Sequence, residues 1–333
     1  MSTHNEICEI CGGRDFWQYK YPLSLKPYAY RTIRGMVRRY IVNISKFFIR
    51  ILVKILPFIL SPEIKKRAQD PYKKLQTFTE ARSIISGIAR GMKLFEGRQI
   101  FICKNCELGI VSPRISEEAL INHYQKDYWI SGGGEIEKAE SPRTIITHKI
   151  LSENLDLKAI DTTLEFGSAS AQMARYLKSK EPKIIFDAID PGILWKEVLS
   201  KELRNIYTDL KEIKSEYALI VSSHALEHVP NLKEYFEKFF NLLKPGGYLY
   251  FEVPNSEEKD VIFGSNPDFH FPHTYFFTPK AVNEISKKFK FNVVFNKTFS
   301  RSYGERWSGI KKNVLSTEEN PKGAYLRVLL KKR

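Results

Sequence analysis

Cysteine is scarce in this chain, with four in 333 residues, too few to hold a fold of this length together by disulfides. A run of ~18 uncharged apolar residues, the mark of a membrane-spanning helix, is also missing. The greasiest stretch, 47–60 (FFIRILVKILPFIL), is broken by Arg50, Lys54 and Pro57. The opening MSTHNEICEICGGRD has no apolar segment of the kind a secretory signal needs, so a cytoplasmic location is expected. Acidic residues are outnumbered, 38 against 53 Lys and Arg, for a formal charge of +15. That imbalance points to an anionic partner: nucleic acid, an anionic membrane surface or a phosphorylated substrate. The bulk composition, 43% hydrophobic and 27% charged, excludes a disordered chain, a collagen-like repeat or a coiled-coil rod. The length suits two domains.

The excess charge is concentrated. Residues 28–98 hold 16 Lys and Arg against 4 Asp and Glu, which is +12 of the total. Within them Arg39, Asn43, Lys46, Arg50 and Lys54 recur at steps of three and four, so on a helix they form a polar stripe. Phe47, Phe48, Ile51, Leu52, Ile55 and Leu56 fall mostly on the other side, and Pro57 ends or kinks the helix. Such a helix packs on its own protein with a solvated basic face, lies on an anionic membrane surface through residues 28–60, or binds RNA.

The cysteines form two CxxC pairs, Cys8/Cys11 and Cys103/Cys106, with none left over. Four thiolates complete a tetrahedral zinc site with no open position, so the expected metal is structural. Gly12 and Gly109 follow the pairs and suit tight turns. The pairs stand 91 residues apart, where ordinary zinc ribbons close over ~15–20. Residues 1–27 and 99–130 are therefore read as a small zinc-ribbon-like leader, with 28–98 as a basic helical insertion.

From about residue 161 short strands alternate with helices. The expected strands are Thr162–Phe166, Lys183–Ile189, Asn205–Thr208, Tyr217–Ser222, Tyr248–Val253, Phe291–Phe295 and Ala324–Leu330. The expected helices are Ala171–Lys180 and Leu232–Leu243, and Lys244-Pro245-Gly246-Gly247 reads as a turn. This pattern predicts an α/β fold with a doubly wound, mostly parallel sheet of the Rossmann-like kind. Ligands bind such sheets at the carboxyl ends of the strands. Glu165 and Gly167, Asp190, Asp209 and the run His224–His228 all stand at such ends, and a carboxylate ending the second strand suits the two hydroxyls of a ribose. The set points to a nucleoside-containing cofactor.

These residues carry a resemblance. LEFGSASA (164–171), AIDPG (188–192), TDL (208–210), HALEHVPN (224–231), LLKPGGYLYFEVPN (242–255) and HFPHTYFFTP (270–279) resemble, in order and spacing, the class I S-adenosylmethionine-dependent methyltransferases over residues 140–333. The run 101–129 with its cysteines is similar to the zinc-bearing leader of a subgroup that includes sugar C-methyltransferases. The resemblance implies a seven-stranded sheet and a set of roles. Glu165 and the Gly167, Ser168 and Ala169 backbone hold the methionine end of the cofactor. Asp190 takes the ribose, Asp209 the adenine amino group and Leu210 the ring, while Ser222 and Ser223 line the cleft. The chain departs from the family loop at Ala169 and Ala171, where glycines are usual.

Methyl transfer from a sulfonium needs alignment and, for a carbon or hydroxyl acceptor, a base. The candidates are His224, Glu227 and His228, with His270, His273 and Tyr275 in the later loop. His228 is the expected base, assisted by Glu227. The expected function is methyl transfer to a sugar, nucleotide-sugar or lipid-linked glycan. An RNA methyltransferase and a non-catalytic binding protein that has kept the fold are the alternatives.

Overall fold

The computed structural model describes residues 7–20, 90–128, 136, 138–192, 196–257, 272–300, 319–321 and 323–333. The basic amphipathic helix expected over 39–54, the proposed membrane surface 28–60 and His270 lie outside the described residues.

The leader is an antiparallel meander of β1 (Phe16–Lys20), β2 (Gln99–Cys103) and β3 (Gly109–Ser112). A short helix follows, α1 (Glu117–His123), started by the Ser116 hydroxyl accepting from the Ala119 amide. The sequence then runs α2 (Pro142–Asn154), β4 (Thr162–Phe166), α3 (Gln172–Lys180), β5 (Ile185–Ile189), α4 (Lys196–Leu199), β6 (Asn205–Tyr207) and β7 (Tyr217–Ser223). It finishes with α5 (Leu232–Leu242), β8 (Leu243–Pro254), β9 (Tyr275–Phe276), α6 (Pro279–Lys288), β10 (Phe291–Phe299) and β11 (Tyr325–Lys332). Helix starts follow the local chemistry. Ser141 and Thr144 form a reciprocal capping box with Pro142 in the first turn, and Thr278 caps α6 ahead of Pro279.

Seven strands form the main sheet in the order β10-β11-β8-β7-β4-β5-β6. β11 is antiparallel to both neighbours, while β8, β7, β4, β5 and β6 run parallel. The chain winds outward from β4 to β6, then crosses back to β7 on the other side of β4. That reversal opens a crevice at the carboxyl ends of β4 and β7, where doubly wound sheets take ligands. Both faces are covered, so the central strands are mostly buried, their few polar side chains included. Leu219 and Val221 of β7 pack in the core with α2 and α3, whereas Ile220 between them packs in the core with α5 and α6.

Three expectations shift. Lys244–Gly247 belongs to β8 itself. The pairing of β8 with β7 slips between Tyr217 and Leu219, and Gly246 takes φ +73°, so the turn is absorbed as a strand irregularity. β10 and β11 run further than their apolar cores, to Phe299 and Lys332, because they pair with each other over their full lengths. The leader does not stand apart either. β3 pairs with β9, Gly109 opposite Phe276 and Ile110 opposite Tyr275, and Cys8, Cys103, Cys106, Leu108 and Ile110 pack in the same core cluster as Phe236, Val282 and Ile285.

Candidate active site

β4 ends at Phe166, and the chain turns through Gly167 at φ +70°. A side chain there is barred: its Cβ would lie 2.2 Å from the Ala225 Cβ. The Gly167 and Ser168 amides both donate to the Ile189 carbonyl, at 2.9 and 3.1 Å, folding the loop over the end of β5. Ala169 and Ala171 also hold left-handed backbones, φ +47° and +48°. The loop thus keeps the conformation that glycine favours while carrying two methyl groups.

Ala171 offers α3 no side-chain cap. Glu165 does so from β4, its carboxylate accepting from the Met173 and Ala174 amides at 3.3 and 2.8 Å. Asp190 accepts from the Ala169 amide through Oδ2 and from the Gly192 amide through Oδ1, both at 2.8 Å. Asp209 Oδ1 accepts from the Lys211 amide at 2.8 Å. The carboxylates that the sequence marks for a ligand therefore also hold the loops in place. Each bonded oxygen keeps a further lone pair. Burial pushes Glu165 up to about 8 against the pull of the Ala174 and Met173 amides, and pushes Asp190 up to about 6.

Glu165, Gly167–Ser170, Asp190, Asp209 and Leu210 line one cavity of about 580 Å³, within the ~300–1,000 Å³ of ligand pockets. The Ser168, Ser170 and Ser223 hydroxyls at this cavity are buried and have no hydrogen-bond partner among the described residues. Buried hydroxyls without partners are rare unless a ligand or water completes them. Ser222 is a correction. It is buried but does not line the cavity, because alternate residues of β7 point to opposite faces.

The opposite wall holds the histidines. His224 sits at φ +53° directly after β7. Its Nδ1 lies 3.2 Å from Glu227 Oε1 and its Nε2 3.1 Å from Glu252 Oε1. Arg327 Nε donates to Glu252 Oε2 at 2.6 Å, and Arg143 Nε stands 3.5 Å from Oε1. Burial would push Glu227 up, but His228, His224 and His273 outweigh it and hold its carboxyl at about 2. Glu252 is likewise held below the usual carboxylate range by His224, Arg327 and Arg143 against burial. Burial and Arg143 would strip the proton from His224, yet Glu227 and Glu252 prevail and raise its pKa. His228 moves the other way, lowered chiefly by burial.

His224 and His228 line the cavity, whereas Glu227, 1% exposed, stands behind them. His273 lies beside His228, with ring centroids 4.9 Å apart. Tyr275 leaves the list of proton carriers. Fully buried, its hydroxyl accepts from the Leu232 amide at 2.9 Å and from Arg114, and it does not line the cavity.

Sequence reading missed two groups. Glu117, Leu120, Ile121 and Tyr124, on α1 and the turn after it, line the same cavity, so the leader supplies a wall of the cleft. Glu252 and Arg327 escaped notice although each is an ionic residue inside an apolar run, LYFEVP and YLRVLL, and they pair across β8 and β11.

The cysteines converge. Cys8 and Cys106 Sγ lie 3.5 Å apart, as do Cys11 and Cys103, and all four sulfurs fall within 4.8 Å of one another. Thiolates at ~2.3 Å around a tetrahedral zinc stand roughly 3.8 Å apart, whereas a disulfide needs ~2.05 Å. The two CxxC turns match: the Gly12 and Glu107 amides donate to the Cys8 and Cys103 carbonyls at 2.9 and 2.8 Å, at φ +73° and +63°. Gly109, expected at the second turn, instead makes room for Phe276, whose Cβ would stand 2.8 Å from a Cβ at 109.

Residues 139–295 match the protein family described as "Methyltransferase domain". The chain carries a methyltransferase domain. Among solved structures, the methyltransferase domain is similar to an S-adenosylmethionine-dependent methyltransferase from Clostridium acetobutylicum, at 15% identity and a TM-score of 0.43 over 57% of this chain and 91% of that one. It is also similar to the N-methyltransferase NodS from Bradyrhizobium japonicum in complex with S-adenosyl-L-homocysteine, at 14% identity and a TM-score of 0.38 over 57% and 86%. No curated protein matches the chain. No helix among the described residues is long and apolar enough to cross a membrane.

Proposed function

We propose that the chain is an S-adenosylmethionine-dependent methyltransferase acting on a sugar, nucleotide-sugar or lipid-linked glycan, with a structural zinc in its leader. The observation that carries the cofactor reading is the cavity wall, where ionisable carboxylates at successive strand ends alternate with buried hydroxyls that lack partners. Such a wall suits a cationic, hydroxyl-bearing nucleoside. Glu165 and the Gly167–Ala169 backbone take the methionine end, Asp190 the ribose, and Asp209 with Leu210 the adenine; Ser223 lines the cleft. The bound cofactor supplies the activated methyl group and its own leaving group. The chain's residues align it and exclude water, and the acceptor's proton leaves at the centre formed by His224, Glu227 and His228. Four converging thiols support the zinc, held by Cys8, Cys11, Cys103 and Cys106.

The acceptor reading rests on the far wall. Tyr124, Tyr235 and His228 present rings to the cavity, and aromatic faces suit sugar rings. The basic stretch 28–60 suits a pyrophosphate or lipid-bearing acceptor and an anionic membrane surface. The test is calorimetry with S-adenosylmethionine, followed by transfer of labelled methyl to nucleotide-sugars, glycolipid extracts and RNA in parallel. Saturable binding with label in the carbohydrate fractions is expected. Absence of binding overturns the cofactor reading, and label entering RNA alone overturns the acceptor.

A further inference from the structure

Behind the cleft, the chain gathers three ligand-type side chains that the sequence keeps 46 positions apart. Glu227 and His228 come from the turn after β7, and His273 precedes β9. One atom from each lies within 4.8 Å of the other two, and Glu227 Oε1 is 3.8 Å from His228 Nε2. Two imidazoles and one carboxylate form a donor set suited to first-row divalent ions, with positions left over for oxygen ligands.

Three further observations point the same way. Glu227 Oε2 is buried and has no hydrogen-bond partner among the described residues, although the residue is 1% exposed. A carboxylate oxygen so placed is costly unless something cationic completes it. His228 Nδ1 is 3.4 Å from the Pro272 carbonyl. A carbonyl there favours the tautomer with hydrogen on Nδ1, which turns the Nε2 lone pair toward the carboxylate. Imidazoles that ligate metals are oriented by this kind of bond. Glu227 is itself steadied from behind, its Oε1 bonded to His224 and His224 to Glu252. Supports of this sort hold a ligand carboxylate in one pose. His228 also lines the cofactor cavity, so an ion here would sit at the cleft's edge.

We propose that Glu227, His228 and His273 bind a divalent transition-metal ion at the acceptor side of the cleft, leaving open positions for oxygen atoms of the acceptor. The proposal deepens the reading above by adding a chemical requirement: the acceptor presents a hydroxyl or carbonyl oxygen to the ion, as a vicinal diol or hydroxyketone of a sugar does. A role for His228 as a bare base then gives way to one as a ligand.

The test uses the full chain with zinc already in the cysteine site. Manganese is titrated with electron paramagnetic resonance and calorimetry, with and without S-adenosylmethionine. One saturable manganese site per chain is expected beyond the zinc. In His273→Ala its affinity falls at least about tenfold, while zinc content and the circular dichroism spectrum stay unchanged. Glu227→Gln is a second variant, and His273→Ala keeps the test valid should that buried substitution disturb folding. No second site in the native chain, or unaltered manganese affinity in His273→Ala, overturns the proposal. The two readings fail separately: manganese binding without S-adenosylmethionine binding sinks the cofactor assignment alone, and the converse sinks the metal site alone.

Discussion

Replacing Ala169 by glycine should make the protein more stable, and replacing Ala171 should not, although both stand in the same backbone conformation. Both alanines sit in the left-handed region, at φ +47° and +48°, where an L-residue is disfavoured by about 1–2 kcal/mol. Glycine removes that strain. It also widens the unfolded ensemble, which takes back about 0.4–1 kcal/mol. At 169 the methyl group is only half buried, so little else is lost and a net gain of about 0.5–1 kcal/mol remains. At 171 the methyl is fully buried among Met173, Leu177 and Phe186. Losing it forfeits about 0.8 kcal/mol, which cancels the gain. The assay is equilibrium urea unfolding of the two single variants, read at constant m-value so that the midpoint shift reports stability. A destabilised Ala169→Gly, or a larger gain at 171 than at 169, would refute the idea that this loop holds a glycine conformation under strain.

Gly167→Ala should do the reverse. It adds left-handed strain of about 1–2 kcal/mol and drives its methyl into Ala225, 2.2 Å away, so stability falls and S-adenosylmethionine affinity drops at least about tenfold by calorimetry. That affinity should also rise with pH up to about 8. Glu165 is protonated below its raised pKa of about 8, and a cationic ligand favours the carboxylate, so each unit below that value costs up to about tenfold in Kd, with proton release seen across buffers of different ionisation enthalpy. The sign for the unliganded chain is opposite: its folded state binds more protons than the unfolded one between 4.5 and about 8, so this contribution to stability fades as pH rises through that window. Glu252→Gln strands Arg327 and His224 without their shared carboxylate and should cost about 3–5 kcal/mol in urea unfolding. Stripping the proposed zinc from the cysteine site, or Cys106→Ser, should raise amide exchange across β1–β3 and α1. It should weaken cofactor binding without abolishing it, since α1 is only one wall of the cavity.

The main sheet was readable because its strands are short apolar runs, each closed by a polar or small residue, and because strands and helices alternate. β4 matched to the residue, since Thr162–Phe166 is a β-branched and aromatic-rich run, buried throughout, that ends at the Gly167 turn. The site was readable in part for the same reason: Glu165, Asp190 and Asp209 stand where strands stop. What they also do was not readable. Their bonds to the amides of Ala174, Ala169 and Lys211 depend on loops folding back, which no local pattern encodes. β9 has two residues, too few for any periodicity, and only its pairing with β3 gives it meaning. The grouping of His273 with Glu227 is likewise long-range, the Thr274 amide and hydroxyl both donating to the Glu227 carbonyl, and so is the wall that α1 supplies to the cleft. The Glu252–Arg327 pair is a register match between β8 and β11, visible only once the last strand is seen to insert beside β8.

The ladder between β1 and β2 ends with Lys20 directly opposite Gln99. Whatever hangs between those residues departs and returns across a single strand spacing, roughly 5 Å. Its length is therefore nearly invisible to the thiol cluster and the cleft, since doubling a loop adds only about 0.6 kcal/mol of closure entropy. The hairpin works as an open port. Exchanging residues 21–89 for a segment of another length should therefore leave the geometry of the thiol cluster and of the cleft untouched.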